Sequence, residues 1–292
     1  MVQHKLYCIT KDAMAQNLLI LLDDNDNTEA LIEQSKSMFN AGTITSSTGV
    51  FVDGISHHDI GNLFNNSVNE VSQYEYDELI SKILHNNPLN SQEAIERVIR
   101  KCKLLSLKID VFFEKANLLA TSFVVESKYS DTLIIGKEII TKNLDSKEGA
   151  DNIYQLLTTC QCPILLIPSK ELIIEHIVLL FDGSLDSFQT IKLFVYLMGA
   201  QIKQASVHLI IKATNQALDE ERYLIAYIKS YCLHFSISRI YLEAFQHDLL
   251  MLLNTYHHFL LVAGHNKEDI IYDLMKDKES YFLKEGNSVF MA

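Results

Sequence analysis

The sequence has little of what would place it outside the ordinary globular proteins. Only 3 of its 292 residues are proline, and 48% are hydrophobic against 21% charged, so a folded chain is expected and not a disordered one. No apolar run approaches the roughly 18 residues that a membrane-spanning helix needs. The N-terminal stretch MVQHKLYCITKDAMAQN has no long apolar core. We therefore expect neither a signal peptide nor a membrane-bound protein.

No cluster of lysine and arginine stands out in the chain, and its formal net charge is −12. A diffuse acidic surface repels a polyanion, so we expect no nucleic-acid partner.

The five cysteines show no spacing typical of a disulfide framework. They are Cys8, Cys102, Cys160, Cys162 and Cys232. An odd, scattered set fits a reducing cytoplasm, which is the location we expect. A single residue separates Cys160 from Cys162, less than in the usual Cys-x-x-Cys redox or zinc pair, so inert thiols are predicted.

Motifs of nucleophilic or metal-dependent catalysis are also missing. Neither a Gly-x-Ser-x-Gly elbow nor a phosphate-binding Gly-Lys-Ser/Thr loop occurs in the sequence. The pairs His57-His58 and His257-His258 are adjacent residues, which on a strand point to opposite faces and cannot share a metal. We predict no catalytic residue and no metal site. A nucleotide-dependent α/β enzyme of another kind would need a catalytic constellation that we do not find.

What the chain does contain is an internal repeat. ILLDDNDNTEALI (residues 20–32) matches LLFDGSLDSFQTI (residues 179–191), which places Asp23 on Asp182 and Ile32 on Ile191. Each copy has an aliphatic run, an aspartate, a short polar turn and a helical pattern. This order predicts a strand, a turn and a helix at the start of each half.

Four later strand-length segments continue the match. They are GVFVDGI with SVHLIIK, IDVFFEKA with SRIYLEAF, TLIIG with LLVAG, and PILLIP with SVFMA. Helical patterns lie between them, which predicts an α/β fold of two doubly wound parallel sheets covered by helices on both faces. We predict one domain over residues 1–169, with an inserted loop at about 56–90, and a second over residues 170–292.

Ligands of such sheets bind beyond the carboxyl ends of the strands, where the strand order reverses. Asp23 and Gly136 are predicted to lie at that place in the first half, and Asp182 and Gly264 in the second.

A strand that ends in Asp-Gly-Ser before a helix, a fourth strand that ends in glycine, and a helix that leads into CQCPILLIP together resemble the universal stress protein family. The resemblance covers both halves, so the chain is similar to a tandem member. It implies five-stranded parallel sheets of order 3-2-1-4-5. Some family members bind ATP through the aspartate that ends strand one and through a motif of Gly, two residues, Gly, nine residues, and Gly followed by Ser or Thr.

The first half of this chain matches that motif in part. Gly136 fills the first position and Gly149 the third, but Ile139 stands at the second and Ala150 replaces the hydroxyl residue. A phosphate cradle needs close backbone approach and often positive φ, which glycine supplies and a β-branched residue resists. By resemblance, Asp23, Gly136 and Gly149 are the candidate residues of a degenerate nucleotide site. No cofactor is expected, with ATP in the first domain as the alternative.

The second half keeps less of the motif. Gly264 is followed by His-Asn-Lys, and the third glycine position falls on Asp277. Asp182 and Ser184 are therefore predicted to begin a structural turn and to cap the helix that follows.

These observations favour a non-enzymatic stress-response module that regulates or binds an unidentified protein partner. The alternative is an ATP-binding switch with slow hydrolysis in the first domain. The resemblance also implies pairing through the fifth strands, CPILLIP and NSVFMA, which would form a pseudo-dimer within one chain and shield two apolar edges. A further homodimer is left open.

Overall fold

The fold is described from a computed structural model of the chain. The described residues are 16–22, 28–39, 44–52, 89–107, 109–114, 116–168, 172–213, 218–241, 249, 251–264, 267–276, 281–284 and 286–292. Asp23 lies outside them, as does nearly all of the predicted inserted loop.

The strands form one sheet of mostly parallel neighbours. They are β1 (Gln16–Leu22), β2 (Ile44–Val52), β3 (Ile109–Glu114), β4 (Thr132–Gly136), β5 (Ile164–Ile167), β6 (His176–Phe181), β7 (Ser206–Ala213), β8 (His234–Tyr241), β9 (Phe259–Ala263) and β10 (Ser288–Met291). Their order is β3-β2-β1-β4-β5-β10-β9-β6-β7-β8. Each described pair is parallel except β5 with β10. The predicted α/β class is confirmed, whereas the two predicted five-stranded parallel sheets are joined in one ten-stranded, mostly parallel sheet.

Hydrophobic composition explains which strands are central. TLIIG in β4 and FLLVA in β9 are buried at every position, as expected for strands covered on both faces. By contrast, β8 lies at one end of the sheet and most of its residues are exposed or half-buried.

Helices cover both faces of the sheet. They are α1 (Thr28–Met38), α2 (Leu89–Leu104), α3 (Ala116–Tyr129), α4 (Lys137–Asn143), α5 (Lys147–Thr159), α6 (Leu185–Leu197), α7 (Gly199–Gln204), α8 (Leu218–Lys229) and α9 (Lys267–Lys276). A 3-10 turn at Tyr281–Leu283 precedes β10. On one face a continuous apolar core includes Leu31 of α1, Phe194 of α6 and Leu224 of α8. On the other, Leu157 of α5 and Leu274 of α9 belong to a common cluster.

The two fifth strands join the halves. β5 pairs antiparallel with β10, with Ile164 opposite Met291 and Leu166 opposite Val289. This is the pairing predicted from the two apolar segments. A second link lies elsewhere, where the Gln16 side-chain amide donates to the backbone oxygen of Leu197 at 3.2 Å.

Two predicted strands begin earlier in the chain than the sequence match indicated. The match predicted residues 49–55 for the second strand of the first half, whereas β2 begins at Ile44 and ends at Val52. The sequence match predicted residues 238–245 for the third strand of the second half, whereas β8 begins at His234 and ends at Tyr241. Pairing with β7 sets its start, because His234 lies opposite Ser206 at the beginning of that strand. A local sequence pattern does not contain this constraint.

Candidate functional site

The first candidate site lies where β1 has β2 on one side and β4 on the other. β1 ends at Leu22, and β4 ends at Gly136, directly before α4. This is the position at which doubly wound sheets bind ligands. Of the three candidate residues, the described structure contains Gly136 and Gly149, while Asp23 follows β1 outside it.

Gly136 has an ordinary backbone conformation. It is the N-cap residue of α4, with φ of −70° and ψ of 133°, and makes no side-chain capping bond. These angles are open to any residue, so its conformation does not require glycine.

Ile139 occupies the second motif position and belongs to the hydrophobic core. Its side chain is only 5% exposed and packs in the cluster that includes Ile135 and Ile153. An aliphatic side chain in that environment cannot provide the close backbone approach that a phosphate needs.

Gly149 lies in the first turn of α5, where packing explains the absence of a side chain. A Cβ at this position would be 2.5 Å from the backbone oxygen of Asn143 and 2.9 Å from Ser146 Oγ. The Ser146 hydroxyl accepts a hydrogen bond from the Gly149 amide at 3.0 Å, which caps the helix. Both the glycine and the hydroxyl thus have structural roles here.

Lys137, the first residue of α4, is a residue of this region that sequence reasoning missed. Its side chain is only 3% exposed, and Nζ donates to the backbone oxygen of Lys284 at 3.1 Å. Desolvation lowers the pKa of Lys137 to about 7, against the opposing effect of Glu138. In the sequence, the position of Lys137 directly after the apolar segment TLIIG was the signal that could have predicted its burial.

The second candidate site is a structural turn, as predicted. Asp182 Oδ1 accepts a hydrogen bond from the Ser184 amide at 3.0 Å. Ser184 Oγ accepts from the Ser187 amide at 3.1 Å, which makes Ser184 the N-cap of α6. Gly183 between them has φ of 85°, a conformation that favours glycine.

Gly264 follows β9 and packs closely against α6 beside the second site. A Cβ added to it would lie 2.2 Å from Thr190 Oγ1 and 2.8 Å from the backbone oxygen of Asp186. Both contacts belong to α6, so the glycine allows the helix to lie against the end of β9.

Metal ligands do not gather within the described part of the chain, where no three His, Cys, Asp or Glu side chains lie close enough to hold an ion. His57 and His58 lie outside that part. Among the described helices, none is both long and apolar enough to cross a membrane.

Comparison with known proteins identifies the fold. The chain is similar to the crystal structure of a universal stress protein from Archaeoglobus fulgidus DSM 4304, with a TM-score of 0.57 and 13% sequence identity. The match covers 96% of this chain and 96% of that one. The fold is therefore that of a universal stress protein. No protein-family model and no curated protein matches the sequence.

Proposed function

We propose that the chain is a tandem universal-stress-protein-like module that binds a protein partner, performs no catalysis and carries a degenerate nucleotide site. The strand order supports the tandem interpretation. Counted from β6, the last five strands repeat the order of the first five, with β10 and β5 adjacent. The module is proposed to act in stress response, as the sequence resemblance implies, and in a reducing cytoplasm, as the scattered cysteines indicate.

One observation carries the proposal of a degenerate site. The motif position that needs glycine for phosphate approach holds Ile139, whose side chain lies in the hydrophobic core. Gly149 does not replace the missing glycine, because the space beside its Cα is already occupied by the backbone of Asn143.

The pairing of β5 with β10 supports a role as a self-contained module. Single strands at the edge of a sheet invite association with other chains. Here the two apolar strands lie against each other, so this association is satisfied within one chain. Ligand or partner binding is then free to use other surfaces.

Calorimetric titration of the full chain with ATP and magnesium tests the proposal. We expect no binding tighter than roughly 100 μM, about −5.5 kcal/mol. Micromolar binding that is abolished by Asp23→Ala but kept by Asp24→Ala would instead establish the alternative, an ATP-binding switch in the first domain. Native mass spectrometry of freshly purified protein would show any nucleotide or second subunit that co-purifies.

A further inference from the structure

Two cysteine side chains meet in the short link between α5 and β5. The Sγ atoms of Cys160 and Cys162 lie 3.6 Å apart, and each residue is 4% exposed. Gln161 between them is exposed. The Cys160 thiol also lies 3.4 Å from the backbone oxygen of Cys162, to which it can donate. The sequence spacing alone predicts inert thiols.

Local backbone geometry explains the contact. Cys160 is the C-cap of α5, and its φ of −59° and ψ of 126° end the helix in an extended conformation. On a helix, residues i and i+2 do not face each other. Because α5 ends at Thr159, the two thiols are not held apart in this way, and their sulfur atoms meet.

The distance is suited to reversible bond formation. A disulfide needs sulfur atoms about 2.05 Å apart, so the two atoms need to approach by only ~1.5 Å. The link has no regular secondary structure from Cys160 to Pro163 that would need to break. Side-chain rotation of two adjacent thiols can supply such a movement.

We propose that Cys160 and Cys162 form a dithiol–disulfide couple that is oxidised by small hydroperoxides. One thiolate attacks a peroxide oxygen, which gives a sulfenic acid and, after proton uptake, water or an alcohol. The second sulfur then displaces the sulfenic hydroxyl, which leaves as water, and the sulfur–sulfur bond forms. Two thiols and one hydrogen peroxide yield one disulfide and two waters, so the protein loses two electrons and two protons.

Because both sulfurs have low exposure, only a small oxidant is expected to reach them. A protein disulfide or a bulky reagent cannot reach atoms that are almost fully enclosed, whereas hydrogen peroxide is close to water in size. Reaction is expected to be slow compared with an exposed thiolate, since buried thiols are shielded from attack. Proximity of the second sulfur then favours the disulfide over further oxidation of the first.

Two other cysteines serve as internal references. Cys102 is enclosed by aliphatic side chains, and burial raises its pKa to about 11, which suppresses the reactive thiolate. Cys232 is partly exposed, and its thiol donates to the backbone oxygen of Ile228 at 3.4 Å. Cys102 shows how a buried thiol reacts that has no sulfur contact among the described residues, and Cys232 shows how a more exposed thiol reacts.

The test is mapping of cysteine states after treatment of the reduced full chain with hydrogen peroxide. Free thiols are blocked with N-ethylmaleimide during denaturation, and peptides are analysed by mass spectrometry. We expect the peptide with both Cys160 and Cys162 to lose the mass of two hydrogen atoms and to regain it with dithiothreitol. Cys102 and Cys232 should be alkylated to the same extent as in untreated protein, because burial raises the pKa of both thiols and neither is expected to have a neighbouring sulfur that would resolve a sulfenic acid.

Single variants then separate the two sulfurs. In Cys160→Ser and in Cys162→Ser, the remaining thiol should be recovered as a sulfenic acid when dimedone is added during denaturation after the peroxide treatment, because no partner resolves it. Cys232→Ser should leave the disulfide yield unchanged. The proposal fails if both thiols stay fully alkylatable after peroxide, or if the wild type accumulates sulfinic acid without a disulfide. It also fails if Cys160 and Cys162 pair with other cysteines.

Discussion

Lys137 Nζ lies 3.1 Å from the backbone carbonyl oxygen of Lys284, so a side chain that follows β4 contacts the segment that leads into β10. This hydrogen bond crosses between the halves and lies close to the end of the β4–β5 pair. Among the described residues, the carbonyl dipole of Lys284 and the carboxylate of Glu138 only partly compensate the cost of burying this charged amine.

Lys137→Met should stabilise the protein most at neutral and lower pH. The pKa of about 7 in the folded protein lies below the ordinary lysine value of 10.5, so the unfolded chain binds more protons between these two values. The wild type therefore gains stability as pH rises from about 7 to 10.5, by up to about 1.4 kcal/mol per pH unit. The advantage of the variant should fall over the same range, as measured by urea unfolding at pH 7, 8 and 9.

Lys142→Met is the matched control, because Lys142 lies on the same helix and is exposed. Its stability relative to the wild type should change little with pH. A constant difference between Lys137→Met and the wild type from pH 7 to 9 would mean that Lys137 is not held in a desolvated environment.

Gly264→Ala should destabilise the second half. The added methyl would overlap the Thr190 side chain and approach the Asp186 backbone oxygen, which cannot rotate away. Overpacking of this kind costs typically 1–3 kcal/mol. Gly199→Ala is the control, because nothing lies within 4 Å of the position of its Cβ. Comparison of urea midpoints checks both, and equal midpoints would show that α6 does not lie against β9 in this way.

The turn after β6 offers a test of its capping bond. Ser184→Ala removes the acceptor for the Ser187 amide and should cost about 1 kcal/mol. Ser184→Asp keeps an acceptor and adds a negative charge at the helix N-terminus, so it should retain the wild-type stability. Thermal unfolding of the three proteins distinguishes them. Equal loss in both variants would assign the effect to something other than capping.

Much of the fold was predictable, because a local sequence pattern was enough to identify many strands and turns. TLIIG forms β4 over its whole predicted length, because a short apolar run bounded by polar residues has few alternatives. The turn at Asp182 and Ser184 was equally predictable from the sequence, since both hydrogen bonds join residues within three positions. The apolar character of β5 and β10 also indicated that these strands would be covered.

The features that could not be predicted depend on tertiary contacts. The sequence contains no sign that Lys137 bonds to Lys284, which is 147 positions away. Cys160 and Cys162 were judged by their spacing in known motifs, whereas their contact depends on how α5 ends. In the same way, Gly149 matched a nucleotide motif by spacing, but its neighbour in the structure is the Asn143 backbone.

Deletion of residues 288–292 should do more than shorten the chain end. Ser288, Val289, Phe290 and Met291 are completely buried. β10 pairs with β9 on one side and with β5 on the other, so its loss removes a strand from the interior of the sheet. We expect a loss of several kcal/mol from a typical total of 5–15 kcal/mol.

The pairing of the halves explains why this deletion should also expose the connection between them. Without β10, β5 loses its antiparallel neighbour, and protease should cleave between residues 169 and 174 faster than in the parent. Deletion of Ala292 alone is the control, since it follows the last paired residue. Melting temperatures and cleavage rates are measured for all three chains. A 288–292 deletion that melts within a degree or two of the parent, with an uncut connection, would show that the halves associate through other surfaces.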